Sequence, residues 1–282
     1  MPEGDSVYLL ARRLDRQLRG RRLARTDLRV PRLATRDLAG RTVLGHTTYG
    51  KHLLTRLDGG RDAAEPATLH SHLLMDGDWV HTRPGKVLPS RVMHEVRVVL
   101  ETERDGTAWG LRLHRLDLVP TAQEDQLVGH LGPDPLRRDF DADEAVRRLR
   151  RDPAQPLVSA LLDQTLICGL GNLWVNELAY LSGVSPWTPV GEVDVERVVE
   201  RATTALRHSA TVPGAYQVTT GSARRGETHW VSGRQRRPCL RCGTTVQMVP
   251  ELGNDPANRR TWWCPHCQPG PGPEARRPGR RV

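Results

Sequence analysis

The stretch from 236 to 268, RRPCLRCGTTVQMVPELGNDPANRRTWWCPHCQ, limits what this chain can fold into more than any other. It holds four of the five cysteines, Cys239, Cys242, Cys264 and Cys267, as two Cys-x-x-Cys knuckles with 21 residues between them. Each knuckle supplies two soft ligands, and a tetrahedral zinc ion takes four. A pair of disulfides is the competing reading, and it suits an oxidising compartment. The segment has too few apolar residues to bury a core of its own, so metal would supply much of its folding free energy. One structural Zn2+, closed by four cysteines, is expected. Such a ribbon names no function. What flanks its knuckles is more telling: Arg241, then Arg259 and Arg260 followed by Trp262 and Trp263. An arginine held by metal beside two tryptophans could enter a groove or grip a phosphate. The tryptophans could equally do no more than pack the ribbon.

The charge balance points to a polyanionic partner, with a formal net charge of +9. By itself this separates nucleic acid from a membrane surface poorly. No apolar run is long enough to span a bilayer. The first residues, MPEGDSVYLL, are acidic where a signal peptide would be basic. A cytoplasmic protein is expected, where this cysteine spacing reads as metal. Of the 42 basic residues only two are lysines, Lys51 and Lys86. Arginine replaces lysine wherever charge alone is needed, but it does not titrate or act as an amine. Both lysines are therefore candidates for a specific role.

Hydrophobic periodicity predicts a helix over 3–19, with Val7, Leu10, Ala11, Leu14 and Leu18 on one face and Gly20 after its end. Short alternating runs follow at 22–30, 42–48, 52–57, 68–73, 78–82, 94–100 and 109–113, with Gly turns between them. Strands at this spacing suggest a β-sandwich or barrel, covered by the leading helix. Residues 120–210 read as helical, with helices at 141–151, 155–166, 172–182 and 194–208. Residues 211–235 read as a loop, and the Pro/Gly/Arg-rich tail from 269 as disordered. The domain division expected is 1–120 for the helix and sandwich, 121–235 for the helical domain with its loop, 236–268 for the finger, and 269–282 for the tail.

Four further motifs carry chemistry. If Met1 is removed, Pro2 bears a free secondary amine, partly unprotonated near neutral pH. It could attack a carbon bearing a leaving group and form an iminium, with Glu3 beside it as proton donor. The plainer reading of these two residues is a helix start, with Glu3 complementing the dipole. Tyr49-Gly50-Lys51-His52 places Lys51 at a hairpin tip, where it is either solvated or reaches across a groove. Gly169-Leu170-Gly171-Asn172 opens a helix: the glycines allow close backbone approach to a phosphate, and Asn172 adds a donor. An ordinary interhelical turn capped by Asn172 is the alternative. His70-Ser71-His72-Leu73-Leu74-Met75-Asp76-Gly77 ends a strand in a turn. Leu74 or Met75 could wedge between stacked bases, though such a run is more often core.

The order of these features in one chain is less ambiguous than any of them. PEGDSVY, YGKHLL, SHLLMDGDW, LLDQTLICGLGNLWVNELAYLSGVSP and RRTWWCPHCQ together resemble the formamidopyrimidine-DNA glycosylase / endonuclease VIII family of base-excision repair. The resemblance covers residues 2–268, and YGKHLL with the PEGD start is closer to the actinobacterial endonuclease VIII branch. It implies an α+β chain: an N-terminal β-sandwich with a leading helix, a helix–two-turns–helix domain and a C-terminal zinc finger, with DNA held in the cleft between domains. It implies a bifunctional glycosylase/lyase acting on a flipped-out nucleotide through a Pro2 Schiff base, then nicking by β,δ-elimination. Glu3 would be the general acid/base and Lys51 would contact the phosphate beside the lesion. Gly171, Asn172 and Arg259, or else Arg260, would hold phosphates, and Met75 or Leu74 would fill the vacated stack. Many family members carry a second acid where this chain has Asp5-Ser6, and the Arg-Phe-Gly motif is missing, leaving Arg112 as a weak substitute. The 211–235 loop is a candidate cover for the extruded base. Oxidised pyrimidines are the expected lesions, in duplex, bubble or single-stranded DNA. A monomer suffices for this, and no membrane is involved. Another class remains open: a non-catalytic zinc-dependent DNA- or RNA-binding protein on the same scaffold.

Overall fold

The structure, a computed structural model, describes residues 2–60, 65–250 and 259–273. The chain divides into two compact units, Met1–His130 and Leu131–Val282.

The first unit opens with α1 (Gly4–Leu18), where Val7, Leu10, Ala11, Leu14 and Leu18 are buried as the periodicity predicts. Eight strands follow: β1 (Leu23–Leu28), β2 (Val43–Tyr49), β3 (His52–Leu57), β4 (Ala67–His72), β5 (Asp78–Thr82), β6 (Val96–Thr102), β7 (Thr107–Leu111) and β8 (Arg115–Pro120). They form two antiparallel sheets in the orders β1-β6-β7-β5 and β2-β3-β4-β8. Leu23, Leu28, Val98, Leu100 and Trp79 from one sheet share a core with Val43, Leu53, Leu57, Leu69 and Leu116 from the other, and the apolar face of α1 joins it. This is the expected sandwich with its covering helix. Strand β8 lies in a stretch not expected to be a strand. Its RLDLVP sequence shows only two apolar residues at strand spacing, and pairing to the full length of β4 decides its conformation. A smaller cluster of Val96, Val99, Trp109 and Leu111 sits apart from this core, partly covered by Leu88 and Met93. A short helical turn, α2 (Asp125–Val128), closes the unit.

The second unit contains α3 (Ala142–Leu149), α4 (Leu157–Leu162), α5 (Asn172–Ser182) and α6 (Val195–Thr211). Asp141 and Asp194 cap α3 and α6, accepting the N–H of Glu144 and of Arg197. The helices share one core that includes Val146, Leu149, Leu161, Trp174, Leu178, Val198 and Leu206. Helix α4 is shorter than the 155–166 expected. Its C-cap, Asp163, is extended, and the next residues form the turns that lead into α5. The Gln164 side chain stitches these turns: its Nε2 donates to the carbonyls of Leu162 (2.8 Å) and Leu170 (2.9 Å), and its Oε1 accepts the Gly169 N–H (3.1 Å). Gly169 stands at φ +90°, a conformation that strains any side chain. Cys168 is a fully buried thiol, with its N–H on the Pro133 carbonyl. Beyond α6 comes a loop and then a two-stranded ribbon, β9 (Gln247–Val249) with β10 (Thr261–Trp263). The tail expected to be disordered falls mostly at 274–282, outside the described residues.

Candidate functional site

The sulfur atoms of Cys239, Cys242, Cys264 and Cys267 all lie within 4.8 Å of one another. A tetrahedral zinc ion with metal–sulfur bonds near 2.3 Å needs sulfurs about 3.8 Å apart. The pairs Cys242–Cys264 at 3.5 Å and Cys239–Cys267 at 4.0 Å bracket that spacing. All four cysteines are free thiols, so the geometry suits one cation and not two disulfides. Thiols this close do not ionise alike without a cation: hydrogen bonds from Thr244 bring Cys242 down to about 6, while burial pushes Cys264 up to about 12. Among its described residues the ribbon has no core of its own. Val246, Cys239 and Cys264 pack with Tyr180 from α5 and Val231 from the preceding loop. Trp263 is buried edge-on against Trp187, so one member of the tryptophan pair does pack the finger.

Helix α5 organises what surrounds the finger. Its N-terminus follows Gly171, and Asn172 donates its side-chain amide to the Arg260 carbonyl (2.9 Å). One turn on, the Asn176 side chain accepts the Trp262 N–H (2.9 Å) and donates back to the Asn172 carbonyl (2.6 Å). The structure thus joins two motifs 88 residues apart in sequence, Asn172 and the arginine pair. Arg260 is exposed and Arg259 half-buried, both just before β10.

Next on the helix is Glu177, fully buried. Its carboxylate accepts the backbone N–H groups of Trp230 (2.8 Å), Val231 (2.9 Å) and Ser232 (2.8 Å), and the Thr219 hydroxyl. The loop between α6 and the finger is therefore pinned to α5. It is also bonded across itself, Thr219 N–H to the Thr228 carbonyl (2.9 Å) and Thr220 Oγ1 to the Glu227 carbonyl (2.5 Å). Arg234, also buried, donates to the carbonyls of Gly226 and Pro238. Sequence reading missed Glu177, Asn176 and Arg234. The only hint for Asn176 and Glu177 was a charged or amide residue on the apolar face of a helix, which spacing does not distinguish from a surface position, and Arg234, in a loop, carried none.

In the first unit, Glu3 is the N-cap of α1 and buried, with its N–H on the Ser6 hydroxyl (3.2 Å). Pro2 precedes it, half-buried. The helix start foreseen here is present, with Glu3 as its N-cap and Pro2 outside the helix, and it places the Glu3 side chain out of water beside Pro2. Lys51 occupies the two-residue turn between β2 and β3, where Gly50 takes φ +55°. Behind it are three histidines on β3 and β4. His52 Nδ1 lies 2.8 Å from His70 Nε2, and His70 Nδ1 lies 3.2 Å from Asp117 Oδ2. His72 Nδ1 accepts the Leu74 N–H (2.9 Å), so the neutral ring carries its proton on Nε2. Burial holds all three below the usual histidine range, His52 at about 3 and His72 at about 4; neighbouring histidines add to this at His52 and His72, as does the Lys51 charge at His72, while Asp117 opposes it at His70.

The turn after β4 carries the two residues singled out as wedges. Leu74 is a non-glycine residue at φ +50°, and Met75 is 64% exposed. A backbone strained in this way, costing on the order of 1–3 kcal/mol, persists only where its surroundings impose it. Three contacts do so: the His72 ring on the Leu74 N–H, the Gly77 N–H on the Leu73 carbonyl (2.8 Å), and Arg112 Nε on the Asp76 carbonyl (2.8 Å). Arg112 also pairs with Glu95 and itself stands at φ +49°. It is a brace for this turn.

The chain matches the formamidopyrimidine-DNA glycosylase N-terminal domain over residues 1–115 and the formamidopyrimidine-DNA glycosylase H2TH domain over residues 131–217. It is 49% identical to a probable endonuclease 8 2 of Streptomyces coelicolor, over 100% of this chain and 98% of that protein. It is 42% identical to the DNA-(apurinic or apyrimidinic site) lyase Nei2 of Mycolicibacterium smegmatis, over 95% of this chain and 99% of that one. Among solved structures, the Lactococcus lactis Fpg in complex with abasic-site DNA has the same fold, with a TM-score of 0.76 at 23% identity, covering 95% of this chain and 100% of that chain.

Proposed function

This chain belongs to the formamidopyrimidine-DNA glycosylase / endonuclease VIII family, and from that premise we propose that it is a bifunctional DNA glycosylase and abasic-site lyase of base-excision repair. The observation that carries the reading is the start of α1: Pro2 directly precedes Glu3, whose side chain is buried, in a chain that matches the family over both units.

Loss of Met1 would leave the Pro2 nitrogen as a secondary amine. It attacks C1′ of a nucleotide flipped out of the duplex, the N-glycosidic bond breaks, and the departing base takes a proton. The resulting iminium acidifies the 2′ hydrogens. Proton removal there expels the 3′ phosphate, and a second elimination expels the 5′ phosphate. Water then releases the amine. Glu3, buried and adjacent, handles protons at the sugar. Lys51 binds the phosphate beside the lesion, and the His72 Nε2–H is a further donor next to it. Gly171 and Asn172 at the start of α5, and Arg259 with Arg260, hold phosphates from the other unit. Leu74 and Met75, on their braced turn, fill the space left by the flipped nucleotide.

The four cysteines hold one structural zinc, whose chemistry is to fix the ribbon and its arginines. Residues 1–120 carry the reaction, and 121–235 with the finger at 236–268 supply the grip. The 211–235 loop covers the extruded base. Oxidised pyrimidines are the substrates, in duplex or in bubble and single-stranded DNA. The protein acts as a monomer in the bacterial cytoplasm, at the nucleoid when bound to DNA. No helix among the described residues is long and apolar enough to cross a membrane.

Borohydride reduction on DNA containing an abasic site tests the reading. A covalent adduct that disappears in Pro2→Gly is the expected result. A protein shown by mass to lack Met1 that gives no adduct would overturn it.

A further inference from the structure

The fifth side chain at the metal cluster is Tyr180, one turn beyond Asn176 on α5. It is fully buried, and its hydroxyl oxygen lies 3.3 Å from Cys239 Sγ. A metal-bound thiolate has no proton to give, so in the loaded protein the hydroxyl is the donor. Other sulfurs have supports of their own: Thr244 hydrogen-bonds Cys242, and the Cys267 N–H lies on Cys264 Sγ (3.5 Å). The tyrosine ring is held from outside. Trp230 stacks on it at 5.2 Å between centroids with an interplanar angle of 18°. The Arg241 guanidinium, from inside the first knuckle, lies 4.9 Å from the Tyr180 ring and 5.2 Å from the Trp230 ring. Trp230 is fixed in turn, its backbone N–H on Glu177 and its indole N–H on the Thr219 carbonyl (3.2 Å).

We propose that Tyr180 is an outer-shell residue of the finger's metal, donating its hydroxyl to Cys239 and bracing that cysteine against α5 and the 219–232 loop. This rests on the reading of the four cysteines as a zinc site. A zinc ion with four thiolates carries two net negative charges, placed in a partly buried cluster. A hydroxyl dipole and a guanidinium beside it offset that charge without adding a ligand. The donor also orients Cys239, because Trp230 stacked on the tyrosine ring and Arg241 lodged beside both rings keep it from following a drifting sulfur. Helix α5 thus supports the finger three times, through the backbone at Asn172 and Asn176 and through a ligand at Tyr180.

Tyr180→Phe keeps the ring and the stack and removes only the O–H. Zinc is loaded to one ion per chain in the full-length protein, and its release to an excess of chromophoric chelator is timed. The variant is expected to lose zinc about tenfold faster than the parent, the low end of what loss of an outer-shell hydrogen bond does to metal affinity. With cobalt(II) in place of zinc, the thiolate-to-metal charge-transfer bands should move to lower energy, because an undonated thiolate is more electron-rich. Amide exchange at Trp230, Val231 and Ser232 should be unchanged in the loaded variant, which shows that the fold around Glu177 is intact. Equal release rates and an unshifted cobalt spectrum, in protein that binds one metal per chain, would overturn the role of Tyr180 alone. Parent protein that binds no metal would overturn the zinc reading, and this inference with it.

Discussion

Glu177→Gln should free the loop that precedes the finger while leaving the helical unit folded. The carboxylate serves four donors: Val231 and Ser232 N–H at Oε1, and Trp230 N–H with the Thr219 hydroxyl at Oε2. An amide offers one oxygen. Placed at the Oε1 position it still accepts two N–H groups, and the –NH2 then faces the Trp230 N–H. The Thr219 hydroxyl can turn and accept, but a backbone N–H cannot, so one buried donor is left unmet at a cost of about 1–3 kcal/mol. The two surviving bonds lose their charge assistance, roughly 1 kcal/mol together. The sum, about 2–4 kcal/mol, is smaller than the ~5–15 kcal/mol that holds a domain folded. It is comparable to the free energy of opening a loop locally. Hydrogen exchange followed by mass spectrometry or NMR should show the amides of Trp230, Val231 and Ser232 exchanging on the order of 100-fold faster, since ~3 kcal/mol is about two powers of ten. The amides of α6 should be little changed. If the loop covers the extruded base, excision of an oxidised base should fall further than strand cleavage at a preformed abasic site, which has no base to cover. Exchange at 230–232 within about threefold of the parent would refute the clamp, because ~0.6 kcal/mol is less than any unmet buried donor costs.

Lys51→Arg keeps the charge beside His72 but replaces a compact ammonium by a planar fork in a two-residue turn, so cleavage of abasic DNA should fall by about tenfold or more. Full activity would remove any specific role for the amine. Stripping the finger of metal should abolish DNA binding in a gel-shift assay, yet reductive alkylation with a small aldehyde should still label the Pro2 amine. Acid should destabilise the first unit. His46 and His72 are held at about 4 and His52 at about 3, against an ordinary value of 6.5, chiefly by burial. A depressed histidine contributes its full stability above pH 6.5 and loses it as pH falls toward the folded value, so each costs ~2 kcal/mol by pH 5. At His46 burial outweighs the opposing carboxylate of Asp15, 3.5 Å from its Nδ1, so His46→Leu should flatten the fall in unfolding free energy between pH 7 and pH 5 by about that amount. An unchanged slope in urea melts would contradict this.

What was legible in the sequence is what local spacing or local chemistry encodes. The two knuckles declare a four-sulfur site because each Cys-x-x-Cys pair is set by its own short turn. Helix α1 is declared by five apolar residues on one face. The order of short motifs declares the family, because each motif is a contiguous run. Other features depend on what a residue meets across the fold. Strand β8 is a strand because β4 offers it an edge. Arg112 braces the Leu74–Met75 turn because β7 ends beside it. Glu177, Asn176 and Tyr180 look like ordinary residues of an apolar helix until the tertiary structure sets three backbone N–H groups, a strand and a cysteine sulfur against them. Partners 53 to 86 residues away leave no periodic trace in a single chain. A buried charge or hydroxyl is tolerable only when such partners arrive, so the composition of α5 became interpretable only once its surroundings were in view. The sequence alone identified which atoms could do chemistry; the tertiary structure decided which side chains hold them still.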